Sequence, residues 1–87
     1  MIIKYRESFS KDVKVLDKTT KKRIEKLLAH TESLKNFTEI PNLKKVKGDK
    51  AAYRIRVGDY RVGIFVFGNT IEFTRCLHRN EIYRYFP

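Results

Sequence analysis

The stretch YRIRVGDYRVGIFVF, Tyr53–Phe67, decides the fold because it contains two strands and the turn that joins them. In its first half, apolar residues alternate with Arg54 and Arg56, so the two kinds of side chain fall on opposite faces of a strand. Gly58 and Asp59 then form a two-residue turn signal, after which a second apolar strand begins. The stretch therefore predicts an antiparallel hairpin with one apolar face and one face that carries guanidinium groups.

The hairpin is part of a longer antiparallel meander. Gly68 and Asn69 form a second two-residue turn signal and predict one more strand after it. A short β-rich segment at the N-terminus predicts a further strand. The predicted strands cover about residues 2–6, 52–57, 60–67 and 70–77.

Two segments between the first strand and the meander have helical spacing. The first, SFSKDVKVL, has Ser8 or Ser10 as its candidate N-cap, and the second, KKRIEKLLAHTESLKNF, has Asp17 or Thr19. The order of strand, two helices and meander predicts one α+β domain over residues 1–87, with two N-terminal helices packed on a small antiparallel sheet. The apolar stripe of the second helix is Ile24, Leu27, Leu28, Thr31 and Leu34.

The charge of the chain restricts its partners. Twenty Lys and Arg against ten Asp and Glu give a formal net charge of +10, which favours nucleic acid or an acidic protein as the partner. The single cysteine, Cys76, excludes an internal disulfide and a cysteine-based zinc cluster, and no metal or cofactor is expected. No apolar run is long enough for a membrane span or a signal peptide, so the sequence predicts a soluble, cytoplasmic protein without a membrane partner.

The arginines of the meander predict a phosphate-binding surface. If the helices cover one face of the sheet, Arg54 and Arg56 must point away from them, because burying an unpaired charge is costly. Arg61, Arg75 and Arg79 lie on or just after the adjoining strands and are expected to converge with them. Few carboxylates lie nearby, and one guanidinium group can bind two phosphate oxygens at once.

The segment LHRNEIY adds groups that can transfer protons, namely His78 and Tyr83, beside Arg79. With no metal-ligand cluster, this set suits RNA cleavage in which a ribose 2′-OH attacks its own adjacent phosphate. A base takes the hydroxyl proton, arginines stabilise the transition state, and an acid protonates the leaving oxygen. On the residues alone, His78 also fits the pattern of an ordinary surface histidine, and Tyr83 also fits that of an aromatic residue that closes the core.

These blocks resemble the RelE/ParE superfamily of toxin–antitoxin toxins. The resemblance spans nearly the whole chain through FSKDVKVLDK, KKRIEKLL, PNLKKVKG, YRIRVGDYRVGI and HRNEIY. It implies two N-terminal helices packed on a small antiparallel sheet. It also implies one of two activities, since RelE-like toxins cut mRNA in the decoding site of the translating ribosome and ParE-like toxins poison DNA gyrase.

The resemblance implies roles for individual residues. Arg61 matches the arginine that contacts the scissile phosphate, and Arg79 matches a second catalytic arginine. Tyr83 falls at the position of a C-terminal catalytic tyrosine. His78 matches the histidine of a G-H-R variant, although Leu77 replaces its glycine. The general base stays open between His78 and Tyr83.

Basic residues around these positions are expected to bind RNA. Arg54 and Arg56 occupy positions where RelE carries lysines that assist proton transfer. A guanidinium group keeps its proton, so these two residues are expected to bind charge instead. Together with Lys44, Lys45 and Lys47, they are predicted to contact the mRNA backbone or ribosomal RNA.

The sequence thus predicts the toxin of a type II toxin–antitoxin module that acts as a ribosome-dependent, metal-independent mRNA endoribonuclease. Its expected partners are mRNA on the ribosome and a cognate antitoxin. The antitoxin should supply an acidic, partly disordered segment that covers or displaces the C-terminal tail. The alternatives are a ParE-type gyrase inhibitor and an inactive relative that binds only nucleic acid or its antitoxin.

Overall fold

The structure, a computed structural model, describes all residues from 1 to 87 as five strands, two long helices and a short C-terminal helix. The three strands of the predicted meander agree with the observed ones to within one residue. No helix combines the length and the apolar character needed to cross a bilayer. The elements are β1 (Ile2–Tyr5), α1 (Glu7–Lys14), α2 (Lys18–Ser33), a 3₁₀ turn (Phe37–Glu39), β2 (Leu43–Lys45), β3 (Ala52–Val57), β4 (Tyr60–Phe67), β5 (Thr70–His78) and α3 (Ile82–Tyr85).

The five strands form one sheet in the order β1-β5-β4-β3-β2. β1 runs parallel to β5, so the sheet is mixed, and the prediction of a wholly antiparallel sheet was wrong in this respect. A parallel pair needs a long connection, and here the chain between β1 and β5 contains both helices and the strands β2, β3 and β4. β2 is not among the predicted strands; it has three residues, and a strand this short gives no readable alternation.

The two long helices begin differently. α2 has the predicted N-cap, since the side chain of Asp17 accepts a hydrogen bond from the Thr20 N–H at 3.1 Å. α1 begins before the predicted Ser8 or Ser10 cap; its N-cap is Arg6, which makes no side-chain cap. The hydroxyl of Ser8 instead donates to the Thr74 carbonyl of β5 at 2.7 Å. This bond places α1 along the edge of β5 beyond the end of β1.

The main core lies between the helices and one face of the sheet. The predicted stripe of α2 supplies Ile24, Leu27 and Thr31, and the Thr31 hydroxyl donates to the Leu27 carbonyl at 2.8 Å, so this buried polar group is satisfied. The sheet supplies alternate residues of β3, β4 and β5 to the same core. The full set is Phe9, Ile24, Leu27, Ile40, Ile55, Val57, Val62, Ile64, Ile71, Phe73 and Cys76.

A second, smaller core covers part of the opposite face. Ile82 and Phe86 of the C-terminal tail pack there against Val46 and Ala52. Sequence reasoning predicted that the sheet face opposite the helices is exposed. The C-terminal tail covers part of that face, so only the part beside the tail is exposed. Phe65 packs against this second core, whereas Phe67 is 59% exposed. Phe67 is the last residue of β4, at the β4–β5 turn.

Candidate active site

The open part of the second face carries a row of cationic side chains. The strand register sets Lys44 opposite Arg54 and Arg56 opposite Arg61, so all four point to the same side. Directly opposed like charges on adjacent strands destabilise a sheet. This arrangement therefore costs stability in the isolated protein, which indicates a function in binding.

Arg61 lies at the centre of this surface. Burial lowers the pKa of the Arg61 guanidinium below its usual value, and the positive charges of three neighbouring arginines lower it further. Its Nη1 donates to the carbonyls of Gly58 at 2.9 Å and Tyr60 at 3.0 Å, so the side chain is oriented by the backbone. None of the four arginines makes an ion pair. We call them the arginine cluster: Arg54, Arg56, Arg61 and Arg79.

Tyr83 lies beside the arginine cluster. It is a residue of α3, and its neighbours Ile82 and Phe86 anchor that helix in the second core. The ring of Tyr83 is 58% exposed, and the guanidinium carbon of Arg54 lies 5.8 Å from the ring centre. This is a cation–π distance, so the hydroxyl is held near the cluster but open to solvent.

Two adjoining clefts surround the cluster and share Lys44 and Arg54. One has a volume of about 440 Å³ and reaches Arg61; the other has about 450 Å³ and reaches Tyr83. No acidic side chain lines either cleft, so the charged groups that an anionic ligand meets there are all cationic. Their linings are Asn42, Leu43, Lys44, Arg54, Arg56 and Arg61, and Lys44, Lys45, Val46, Lys47, Arg54 and Tyr83.

The predicted lysines are placed unequally. Lys44 and Lys47 are exposed and line the clefts. The ammonium of Lys45 folds back on the following loop, where it donates to the carbonyls of Asp49 at 2.6 Å and Lys50 at 2.9 Å. Lys45 therefore touches a cleft with its side-chain stem, while its charge is already engaged by the protein.

The consecutive residues His78 and Arg79 lie on different sides of the sheet. Arg79 follows β5 and joins the arginine cluster. His78 pairs with Tyr60 on the helix-covered face, with ring centres 5.7 Å apart, and its Nδ1 accepts from the Asn80 N–H at 3.2 Å. The expectation that His78 joins the arginines is therefore not met, because successive residues of a strand point to opposite faces.

Arg75 is also absent from the cluster that sequence reasoning placed it in. Its Nε and Nη2 donate to the Asp12 carboxylate at 2.7 Å and 3.1 Å, and the same carboxylate accepts from the Cys76 N–H at 2.9 Å. The hydrogen bond that Arg75 donates to Asp12 raises the pKa of Arg75 above its usual value. Asp12 belongs to α1, so this ion pair ties the helix to the edge of β5 and is structural.

Sequence reasoning missed the residues that position Tyr83. Gly63 of β4 lies directly under the ring of Phe86, and an added Cβ would lie 2.6 Å from that ring. Sequence reasoning also missed Asn42, which has a φ of 62°, in the left-handed region, and lines the cleft that reaches Arg61. A glycine inside an apolar strand was the available signal for the first, since it marks a close approach.

The comparisons with known proteins agree with this fold. The family model of the ParE toxin of the type II toxin–antitoxin system parDE matches residues 3–83. The chain is 41% identical over 88 residues to Toxin RelE3 of Methanocaldococcus jannaschii, and the match covers all of both chains. The protein therefore belongs to the RelE/ParE superfamily, the toxins of type II toxin–antitoxin systems.

Solved structures show the same architecture. The RelB-RelE antitoxin–toxin complex from Methanococcus jannaschii matches with a TM-score of 0.84 and 40% identity, covering 97% of this chain and 99% of that chain. The archaeal RelE-RelB complex from Pyrococcus horikoshii OT3 matches with a TM-score of 0.73 and 24% identity over 93% and 97% of the two chains. The isolated RelE toxin of E. coli matches with a TM-score of 0.67 and 18% identity over 88% and 82%. The last two likenesses concern the fold alone.

Proposed function

We propose that this toxin is a ribosome-dependent, metal-independent mRNA endoribonuclease. The observation that supports it is the arginine cluster: three guanidinium groups converge on that of Arg61, none of the four has a carboxylate partner, and a tyrosine ring lies at their border. A site of this kind supplies charge and proton transfer. It needs no protein nucleophile, because the ribose 2′-OH of the substrate is the nucleophile.

In the proposed reaction, the 2′-oxygen attacks the adjacent phosphorus and the bond from phosphorus to the 5′-oxygen breaks. The products are a 2′,3′-cyclic phosphate and a free 5′-hydroxyl. Arg61 and Arg79 hold the non-bridging oxygens, whose negative charge increases in the transition state. Fixed donors directed at such oxygens are worth about a hundredfold or more in rate each.

Tyr83 is the proton-transfer group that lies beside the arginine cluster, so we assign it the proton of the 2′-oxygen. His78 is the second candidate for the acid–base roles, but its ring packs on Tyr60 on the other face. It can reach the leaving 5′-oxygen only after the end of β5 rearranges; otherwise solvent supplies that proton.

The rest of the basic surface binds the RNA strand. Arg54 and Arg56 line the cleft beside Arg61, and Lys44 and Lys47 continue it toward Tyr83. Their contacts to phosphates would hold the mRNA backbone or ribosomal RNA in register without reading bases. Lys45 contributes less, because its ammonium is already bound to two carbonyls.

We further propose a RelB-like antitoxin as the cognate partner. The solved relatives from Methanococcus jannaschii and Pyrococcus horikoshii OT3 are complexes of RelE with RelB. A net charge of +10 and an unpaired arginine cluster are complementary to an acidic segment. Such a segment inhibits by covering the cluster or by displacing the tail that carries Tyr83.

The test is cleavage of mRNA on translating ribosomes, mapped by primer extension. Arg61→Ala, Arg79→Ala and Tyr83→Phe should each lose most of the cleavage. Arg84→Ala is the matched control, because Arg84 lies on the same tail, is exposed and faces Glu81 at 3.8 Å. Cleavage without ribosomes, or cleavage that survives Arg61→Ala, would contradict the proposal.

A DNA gyrase inhibitor is the competing function, since the matching family model is that of the ParE toxin. Growth arrest by the wild type without mRNA cleavage, together with reduced supercoiling by purified gyrase, would establish it. The absence of both growth arrest and mRNA cleavage would identify an inactive relative that binds only nucleic acid or its antitoxin.

A further inference from the structure

A second basic groove lies between α2 and β3, on the helix-covered side of the sheet. Its volume is about 510 Å³, its floor is apolar, and no acidic side chain lines it. Arg23, Lys26 and His30 line it from α2, at a spacing that places them on one side of that helix. Apart from Asn42 and Arg56, the residues that line the groove lie outside the site described above.

This groove is continuous with the arginine cluster. Arg56 and Asn42 line both the groove and the cleft that reaches Arg61. At the β3–β4 turn, Arg23 lies against Gly58, where an added Cβ would be 2.6 Å from the Arg23 Nη1. The carbonyl of the same glycine accepts from Arg61 at 2.9 Å. A cationic surface therefore passes around the edge of the sheet from Arg61 to Arg23.

The charges of the groove have no partner within the chain. The four ion pairs of the protein involve neither Arg23, Lys26 nor Arg56. Cations gathered around a concave surface attract an anionic ligand and raise its rate of association. The ligand of this groove is therefore expected to be a polyanion.

The groove between α2 and β3 differs from the clefts at the arginine cluster in aromatic content. Tyr83 borders the arginine cluster, whereas no Phe, Tyr or Trp lines the groove between α2 and β3. Single-stranded RNA is bound largely by stacking of its bases on aromatic side chains. Duplex RNA is bound through phosphates and 2′-hydroxyls, for which cations, an amide and an imidazole suffice.

We propose that the groove lined by Arg23, Lys26 and Arg56 binds the sugar–phosphate backbone of a duplex RNA segment while the arginine cluster holds the single-stranded RNA. The inference rests on the proposed function, because it assumes an RNA-binding toxin. It adds a second RNA contact on the opposite face of the sheet. A structured RNA presents a helix and a single strand together.

The test measures binding of two RNA probes to the whole protein by fluorescence anisotropy over a range of salt concentrations. The probes are a short perfect RNA hairpin and a single-stranded oligonucleotide, both with 2′-O-methyl groups that prevent cleavage. The variant is Arg23→Gln with Lys26→Gln. The matched control is Lys18→Gln with Lys22→Gln, which removes the same charge from exposed positions of α2 outside the groove.

Loss of two phosphate contacts should weaken hairpin binding about tenfold and lower the slope of log affinity against log salt by about two. Oligonucleotide binding by this variant, and hairpin binding by the control variant, should each change less than about threefold. Circular dichroism confirms that both variants are folded.

Three outcomes would overturn the inference. Equal losses in the variant and the control would mean that only net charge matters. Equal losses on hairpin and oligonucleotide would make the groove a single-strand site. Weakened binding of polyglutamate without any effect on either RNA would make it a protein-docking site. Failure of the proposed function would appear separately, as absence of ribosomal mRNA cleavage by the wild type.

Discussion

The ring of Phe86 lies on the backbone of Gly63. An added Cβ at position 63 would be 2.6 Å from one ring atom and 2.7 Å from two others. Both residues are buried. The contact fixes the C-terminal tail on β4 and thereby holds Tyr83 beside Arg54. The position of a proposed catalytic group thus depends on the absence of a single methyl group.

Replacing Gly63 with alanine should displace the tail. We expect a loss of about 1–3 kcal/mol in unfolding free energy from overpacking, and a larger loss in cleavage activity because Tyr83 moves with the tail. Denaturant unfolding and the ribosomal cleavage assay measure the two effects. In a double-mutant cycle, Phe86→Ala should remove most of the penalty of Gly63→Ala. Strict additivity of the two changes would contradict the contact.

The arginine cluster should lower the stability of the isolated protein. Arg56 lies directly opposite Arg61, so Arg56→Gln should raise the unfolding free energy by about 0.5 kcal/mol at low salt. The gain should shrink as salt screens the repulsion. Urea unfolding at several salt concentrations measures it. Lys22→Gln removes the same charge from α2 and should give a smaller gain; equal gains would assign the effect to net charge.

The ion pair between Asp12 and Arg75 should be a main support of α1. Both side chains are at most a quarter exposed, and Asp12 also accepts the Cys76 N–H. Asp12→Asn leaves the guanidinium without its counter-charge and should cost about 3 kcal/mol in unfolding free energy. The exposed pair of Glu7 and Lys11 provides the comparison: Glu7→Gln should cost under about 0.5 kcal/mol. Similar costs would mean that burial does not strengthen the first pair.

The N-cap of α2 should make stability depend on acid pH. Hydrogen bonds from the Thr20 side chain and backbone N–H lower the pKa of Asp17 below its usual value of 3.8. Because the folded-state pKa is the lower one, this stabilisation is present above about pH 4 and is lost as the pH falls through the folded-state pKa. Asp17→Asn keeps a capping oxygen but removes the titration, so its melting temperature should fall less steeply below pH 4. Parallel profiles for the two proteins would contradict this assignment.

Local patterns were sufficient for most of the elements. The paired turn signals at Gly58 and Gly68 predicted the meander, and both glycines have the positive φ that two-residue turns require. Asp17 was one of two predicted caps and is the one observed. The direction of β1 could not be read in this way, because pairing between segments far apart in the chain leaves no local signature.

The side of the sheet that each residue of β5 occupies was decided by one irregularity. Ile64 pairs with Phe73 and Gly63 with Arg75, so Thr74 is an extra residue and the strand changes phase there. Before Thr74 the odd-numbered residues face the helices; after it the even-numbered ones do. Without the bulge, His78 would point toward the arginine cluster. Simple alternation from the start of the strand cannot foresee this change.

The sequence by itself determined the helices, the three-stranded meander and the surplus of cations, because these follow from spacing and composition along the chain. The tertiary structure decided which groups meet. In it, Arg75 forms an ion pair with Asp12, His78 packs against Tyr60, and Tyr83 lies beside Arg54. The physical reason is that these contacts depend on interactions between distant parts of the chain. They need the bulge in β5, the position of α1 at the sheet edge, and the packing of the C-terminal tail on Gly63, which has no side chain.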